Sequence, residues 1–236
     1  MTFTRTCMTA ISLAMLAATT LPAKAASLQV APVIVDVPAP GATGTITLRN
    51  EGLKPIDAQV RVFKWSQKDG REVLEPTRDV VASPPMVKLG SRSDYTVRIV
   101  RLSKAPVGGE EAYRLVVDEL PDPARTRNGS VTVVLRHSVP VFFAPADGDR
   151  PRISWKTEVR GGQLLVSAEN AGGRRMRFAN MSVSDGSRQV SFGNGLIGYS
   201  LAGSTMTWSR PAPRGFGGTI RVAADSDAGP VNTVAK

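Results

Sequence analysis

Short runs of alternating apolar and polar residues recur along almost the whole sequence, and turn residues separate them. Residues 43–49 and 56–65 are two such runs, and the turns Asn50-Glu51-Gly52 and Asp69-Gly70 follow closely behind them. A period of two residues is typical of a β-strand with one covered face, and an Asp-Gly pair favours a hairpin turn. Almost no segment has the period of an amphipathic helix, so the sequence predicts an all-β fold.

The first half of the chain contains enough of these runs for one complete sandwich. Three prolines, Pro32, Pro38 and Pro40, restrict pairing in the earliest run, which predicts an edge strand or a strand that changes sheets. About seven strands in about 120 residues are typical of an immunoglobulin-like β-sandwich. The further runs lie at residues 27–37, 80–89 (interrupted at Ser83-Pro84-Pro85), 94–102, 112–120 and 130–143.

A polar segment rich in proline and glycine at residues 145–151 predicts a domain boundary. We expect an immunoglobulin-like domain at 26–146, a hinge at 147–152 and a smaller β-sandwich domain at 153–236. The strand-like runs of this second half lie at residues 163–169, 175–184, 190–192, 204–208 and 219–223. Residues 225–236 look like a loose tail.

The first 25 residues have the pattern of a secretory signal peptide. Arg5 supplies positive charge, residues 8–21 are mostly small and apolar, and Ala23-Lys24-Ala25 fits a cleavage site. We therefore expect export to the periplasm and cleavage near Ala26. The single cysteine, Cys7, lies inside this signal, so disulfides are not expected in the mature chain.

The charge of the chain is basic but dispersed. Removal of Arg5 and Lys24 lowers the formal charge from +10 to +8. Aromatic residues, which would stack on single strands, are sparse, so a nucleic-acid partner is not expected. After the signal no segment is apolar enough to cross a membrane, so we expect no membrane insertion.

The side chains needed for catalysis are scarce. His137 is the only histidine, and no Gly-x-Ser-x-Gly motif is present. Adjacent acidic residues, such as Asp118-Glu119, point to opposite faces of a strand and form no paired carboxylate site. The sequence therefore predicts a protein that is not an enzyme and uses no metal or cofactor.

The run that ends the first domain is a candidate binding edge. Val131, Val133 and Leu135 share one face, Arg136 lies on the other, and Val134 breaks the polar pattern. One interpretation is that the first three residues serve a partner. The alternative is that they face the protein's own core, which leaves Val134 as the only outward apolar residue.

Six short segments of the first half form a recognisable series by their order and spacing. They are Thr47-Leu-Arg-Asn50, Arg61-Val-Phe-Lys-Trp65, Ser83-Pro-Pro85, Thr96-Val-Arg-Ile99, Tyr113-Arg-Leu-Val-Val-Asp-Glu-Leu-Pro121 and Val139-Pro-Val-Phe142. In these segments the first half resembles the periplasmic pilus chaperones of the chaperone–usher pathway. The resemblance implies two immunoglobulin-like domains in an L or boomerang arrangement and a role in binding pilus subunits that lack their last strand. Such chaperones lend a strand to the subunit (donor-strand complementation) and deliver it to an outer-membrane usher; Val131, Val133 and Leu135 match the donor positions.

The sequence departs from the best-known members where they bind the subunit's C-terminal carboxylate. The family's arginine and lysine correspond here to Pro32 and Pro140, which is more similar to the archaic, alternate class. Arg114 interrupts an apolar run and is the candidate replacement; an arginine fork suits a carboxylate. Arg98 matches a family arginine and is a second candidate, with Arg136 and His137 in reserve.

The arginine of the family's interdomain salt bridge would lie near Ala144 and is missing, which leaves the angle between the domains open. Other classes of protein remain as alternatives. The alternative function is that of a secreted structural, adhesive or glycan-binding β-sandwich protein, although a glycan platform needs more aromatic residues. A free apolar strand edge also predicts self-association of the unliganded protein.

Overall fold

The computed structural model describes residues 28–121 and 133–235, and every helix or strand assigned in these ranges is a β-strand. The predicted all-β class is confirmed, with two β-sandwiches in tandem. Within the described residues no helix is long and apolar enough to cross a membrane.

The first sandwich consists of two sheets. We call the sheet β1-β3-β8-β6 the back sheet, and the sheet β2-β10-β9-β4-β5, with β7 paired to β4, the front sheet. The strands are β1 (Leu28–Ala31), β2 (Val35–Pro38), β3 (Thr43–Asn50), β4 (Ile56–Lys68), β5 (Arg71–Pro76), β6 (Val80–Ser83), β7 (Met86–Leu89), β8 (Asp94–Arg101), β9 (Glu111–Leu120) and β10 (Arg136–Ala144).

Prolines separate strands at two places, as the sequence predicts. The first run changes sheets at Pro32: β1 pairs with β3 in the back sheet, and β2 pairs with β10 in the front sheet. Ser83-Pro84-Pro85 likewise divides β6 from β7, which belong to opposite sheets. Proline lacks the N–H that a continuous strand would need at these positions.

The second sandwich has a three-stranded sheet, β11-β12-β16, and a larger sheet, β14-β13-β17-β18, in which β15 also pairs with β13. Its strands are β11 (Ile153–Arg160), β12 (Gln163–Asn170), β13 (Met176–Ser184), β14 (Gln189–Ser191), β15 (Leu196–Ser200), β16 (Thr205–Pro211), β17 (Arg221–Ser226) and β18 (Gly229–Val234).

The expectation of a loose tail at residues 225–236 is wrong. A two-residue turn at 227–228 follows β17, and β18 begins at Gly229, which has a φ of 108°, and runs antiparallel to β17. Val231 and Ala235 pack against the second core. The apolar residues of this segment are isolated in the sequence, and the hairpin register is what places Val231 on the sandwich while Val234 stays exposed.

Alternation along β9 and β10 sorts their side chains onto two faces of the front sheet. Tyr113, Leu115 and Val117 of β9 belong to the first core, together with Val139, Val141 and Phe143 of β10. The residues between them therefore lie on the outer face of the front sheet, which is the face that meets the second domain.

Candidate functional site

Strand β10 is covered on one side along its whole length but on the other side only in part. It pairs with β9 from Arg136 to Phe143. On its opposite side β2 pairs only with Val141 to Ala144. Within the described chain, the stretch from Arg136 to Pro140 is therefore an open sheet edge.

The backbone groups at this edge follow from the register. The N–H of Glu119 donates to the carbonyl oxygen of Leu135 (2.9 Å), which makes the odd-numbered residues of β10 the ones that bond to β9. Arg136 and Ser138 then direct their N–H and C=O groups to the open side. Pro140 offers a carbonyl only. The edge can accept one additional strand over a short length.

The apolar residues before the edge differ in burial. Val133 is 79% exposed and Val134 44% exposed, whereas Leu135 is partly buried against the first core. Val131 lies outside the described residues. Two exposed valines thus lie directly before the open edge, and the choice between the faces of Val133 and Val134 stays a prediction.

Arg114 lies on β9 opposite Pro140 of β10 and Phe63 of β4, on the outer face of the front sheet. Its side chain is only 13% exposed. It lies at the boundary between the two domains, near Tyr199 of the second domain, and its role as an anchor stays a prediction.

The guanidinium of Arg114 is directed away from β10. Its central carbon lies 3.7 Å from the ring centroid of Trp65 on β4 and 5.8 Å from that of Tyr199 in the second domain. One terminal nitrogen donates to Glu72 Oε1 on β5 at 3.1 Å. Burial raises the pKa of the Tyr199 hydroxyl, so this group is a neutral neighbour.

Arg98, the second candidate anchor, lies in a different place. It is exposed on β8 of the back sheet, between Val97 and Ile99, which belong to the core. Alternation directs its side chain outward, away from the front sheet. The structure therefore does not bring Arg98 and Arg114 together.

A cluster of three charged residues beside the open edge was not predicted. Arg61 donates to Asp118 Oδ2 at 2.6 Å, and Arg136 donates to the other oxygen of the same carboxylate. Burial alone would raise the pKa of Asp118, but the hydrogen bonds from Arg136 and Arg61 outweigh it and lower that pKa. The cluster fixes the side chain of the first residue of β10.

His137 has a structural contact. Its Nε2 lies 3.0 Å from the carbonyl oxygen of Leu28, to which it donates. This bond links the beginning of β10 to the beginning of β1, across the two sheets. Among the described residues, no group of three or more histidine, cysteine or acidic residues is arranged to hold a metal ion.

The second domain is attached to the front sheet by an aromatic cluster. Trp65 and Phe142 of the first domain contact Tyr199 of the second at ring-centroid distances of 5.4 and 6.0 Å. The Gln67 side chain donates to the carbonyl of Tyr199 (2.7 Å) and accepts from the N–H of Leu201 (2.9 Å). The outer face of β4 is thereby covered at this end.

The tip of the β4–β5 hairpin adds a further contact. Gly70, with a φ of 73°, accepts a hydrogen bond at its carbonyl from the N–H of Thr207 at 3.0 Å. A Cβ at this glycine would lie 2.5 Å from Thr207 Oγ1. A side chain at position 70 would therefore force the domains apart as well as strain the turn.

A buried ion pair from the second domain takes the place of the missing bridging arginine near Ala144. Arg175 donates to Glu110 Oε2 (2.7 Å) and to Asp36 Oδ1 (2.6 Å), and its guanidinium lies 3.6 Å from the ring centroid of Phe142. The Glu110 side chain is only 1% exposed. An arginine of the second domain thus joins the two domains by ion pairs, a contact that the sequence did not reveal.

Two β-sandwiches in tandem, with a strand edge left open in the first, define a protein suited to strand addition. Residues 27–148 match the family described as pili and flagellar-assembly chaperone, PapD N-terminal domain. The match covers more than half of the chain, and the chain belongs to this family. The predicted membership among the pilus chaperones is confirmed.

Solved structures of pilus chaperones share the fold along nearly their whole length. A chain of the complex of CsuC with the tip subunit CsuE, from the archaic Csu pili of Acinetobacter baumannii, is 22% identical; the match covers 89% of this chain and 97% of that chain with a TM-score of 0.68. The structure of the Salmonella enterica SafA pilin with the SafB chaperone gives 21% identity, 90% and 98% coverage and a TM-score of 0.61. The E. coli chaperone DraB gives 19% identity, 89% and 97% coverage and a TM-score of 0.61.

A comparison with curated protein sequences finds no match. The family and the fold are those of chaperones rather than of known enzymes.

Proposed function

We propose that this protein binds pilus subunits by donor-strand complementation in the periplasm and passes them to an outer-membrane usher. The observation that carries the proposal is the open edge of β10 from Arg136 to Pro140, preceded by exposed Val133 and Val134. A subunit strand would bond to the free backbone groups of Arg136 and Ser138. The subunit-binding domain is residues 26–146, and the signal at 1–25 directs export.

The donor residues of this proposal are Val131, Val133 and Leu135. Their apolar side chains would fill the groove of a subunit that lacks its last strand, at about 25 cal/mol per Å² of apolar surface covered. In the free protein Leu135 is partly buried against the first core and lies at the end of the donor segment next to β10, whereas Val133 is exposed and open to a partner.

Arg114 is the proposed anchor of the subunit's C-terminal carboxylate. It is the candidate on the outer face of the front sheet, directly beside β10, whereas Arg98 lies on the back sheet. Pro32 and Pro140 occupy the positions of the usual basic residues, and together with the similarity to CsuC this favours the archaic class. Replacement of Arg114 by alanine should weaken subunit binding, and Arg98→Ala should leave it unchanged.

The test of the proposed function is co-purification from the periplasm with a pilus subunit. The chaperone and the subunit are expressed alone and together, and the soluble complex is quantified. We expect a stoichiometric complex with a subunit that lacks its last strand. The matched control is the same subunit with a donor strand fused to its end, which should not be captured. A folded chaperone that captures neither form would contradict the proposal.

An adhesive or glycan-binding β-sandwich is the alternative function. Exposed aromatic platforms would favour it, but the three tryptophans, Trp65, Trp155 and Trp208, all contact other aromatic rings in the interior or at the domain boundary. The described surface thus offers no tryptophan platform that would favour this alternative.

A further inference from the structure

The direction of the Arg114 side chain limits its contact with a ligand bound at β10. In the front sheet β9 lies between β10 and β4, and β5 lies beyond β4. The guanidinium of Arg114 extends over Trp65 on β4 and reaches Glu72 on β5. The side chain therefore extends away from the open edge. A ligand paired with β10 contacts this arginine only where the ligand turns towards it.

The contacts that hold Arg114 in this position are unequal. Trp65 and Tyr199 are buried, and both are fixed by the aromatic cluster at the domain boundary. Glu72 contributes one hydrogen bond from a side chain that is 38% exposed. It lies on β5, the outermost strand of the front sheet on this side. Glu72 is the contact that can open without moving the backbone.

Glu72 is not needed to hold the β4–β5 hairpin in place. The tip of the hairpin is fastened to the second domain by the bond between Gly70 and Thr207, and Gln67 is bonded to Tyr199 and Leu201. Loss of the Glu72 carboxylate leaves all of these bonds intact. The ion pair between Glu72 and Arg114 thus contributes little to holding β5 in place.

We propose that Glu72 is an internal carboxylate that occupies Arg114 in the free chaperone and competes with the C-terminal carboxylate of the subunit. This inference rests on the proposed function, in which Arg114 anchors that carboxylate. The two carboxylates have the same chemistry, and the Arg114 nitrogen that donates to Glu72 cannot donate in the same direction to the carboxylate of the subunit. Glu72 keeps the anchor closed until a subunit strand has paired with β10.

The test is the substitution Glu72→Gln, which removes the charge and keeps the shape. The probe is the subunit recovered in the co-purification, and its affinity is measured by titration calorimetry. We expect binding to become about two- to fivefold tighter, which is the worth of one part-exposed ion pair. Glu75→Gln is the matched control: Glu75 lies on the same strand, but its carboxylate pairs with exposed Lys68 at 3.8 Å instead of with Arg114. Unchanged or weaker binding by Glu72→Gln would overturn the proposal.

A double-mutant cycle separates this inference from the anchor itself. If Arg114→Ala weakens binding and Glu72→Gln has no effect in that background, the gain acts through Arg114. If Arg114→Ala weakens binding but Glu72→Gln alone changes nothing, the internal competitor is refuted and the anchor stands. If Arg114→Ala has no effect, both the anchor and the competitor are refuted.

The last part of the test changes the C-terminal carboxylate of the subunit. A semisynthetic subunit that ends in a primary amide offers no carboxylate to Arg114. Glu72→Gln should then give no gain over the wild-type chaperone. An equal gain with the amidated subunit would mean that Glu72 acts on the fold, and the proposal would fail.

Discussion

The two halves of β10 differ in what lies beside them. From Val141 to Phe143 the strand has β9 on one side and β2 on the other, Ala144 also pairs with β2, and all four residues are buried. From Arg136 to Pro140 the β2 side is open, and Arg136 and Ser138 are exposed. One strand therefore joins a rigid domain boundary to a free edge.

The comparison shows how a protein keeps an edge open without losing its fold. An unpaired strand edge is a hazard, because it invites aggregation. Here the buried half is fixed by the aromatic cluster around Phe142 and by the Arg175 ion pairs, and the open half is an extension of that fixed strand. Stability and binding are thus separated along a single element, and four substitutions, taken in order of their effect on stability, test that separation.

The largest loss of stability is expected at Phe142. This side chain is completely buried and contacts Trp65, Tyr199 and the guanidinium of Arg175. Phe142→Ala should lower the free energy of unfolding by about 3–5 kcal/mol, because it leaves a cavity at the domain boundary. Urea denaturation followed by tryptophan fluorescence measures the loss.

The control lies four residues earlier, in the open half. Ser138→Ala should change the free energy of unfolding by less than about 0.5 kcal/mol, since its side chain is exposed. If Phe142→Ala and Ser138→Ala lower the free energy of unfolding equally, the two halves of β10 contribute equally to stability.

Glu110 should give the next largest effect. Its carboxylate is buried and accepts from both the side chain and the backbone N–H of Arg175. Glu110→Ala should cost about 3 kcal/mol, because it leaves a largely buried guanidinium with Asp36 alone. Small-angle scattering should also show a looser arrangement of the two domains.

An exposed pair in the second domain serves as the comparison for Glu110. Glu158 bonds to Arg160 two residues later on β11, and both side chains are largely solvated. Glu158→Ala should change stability by less than about 0.5 kcal/mol. A wild-type scattering profile for Glu110→Ala would mean that the domain angle does not depend on Arg175.

Strand positions were most predictable for the long strands of the first sandwich that have one covered face. Residues 112–120 were expected as a strand and form Glu111–Leu120; residues 56–65 belong to Ile56–Lys68. The edge strand Arg71–Pro76 was missed because neither of its faces is buried, so its sequence does not alternate between apolar and polar residues. Leu196–Ser200 was missed because Gly198, with a φ of 151°, weakens the apolar signal.

The site was predictable only in its local part. The sequence places Arg114 in an apolar run and Val133 before an alternating strand, and both features can be read from neighbouring residues. The partners of Arg175, in contrast, are 65 and 139 residues away in the chain. Gln67 and Tyr199 are 132 residues apart. Such contacts depend on how two sandwiches pack, which no local pattern encodes.

Asp118 should have a smaller and pH-dependent effect. Its pKa is lower in the folded protein, so its contribution is present above the ordinary carboxyl pKa of about 4 and is lost as the pH falls through the lowered value. Asp118→Asn should cost about 1–2 kcal/mol near neutral pH, since both arginine partners are partly solvated. It should also make the acid limb of the stability curve less steep.

Asp57 provides the control for the acid limb. It is an exposed aspartate on the neighbouring strand β4, without an ion pair in the described part of the chain. Asp57→Asn should leave the pH dependence of unfolding close to that of the wild type. If both variants flatten the curve equally, the cluster of Arg61, Asp118 and Arg136 does not hold the open half of β10.

The smallest effect on stability and the largest effect on binding should coincide at Val133. This side chain is 79% exposed, so Val133→Asp should leave the free energy of unfolding within about 0.5 kcal/mol of the wild type. Capture of a subunit should nevertheless be lost, because the new carboxylate would have to be buried unpaired in an apolar groove. Val134→Asp distinguishes the two faces of the donor segment: it should be tolerated if Val133 enters the subunit, and loss of capture by Val134→Asp alone would assign the donor role to the opposite face.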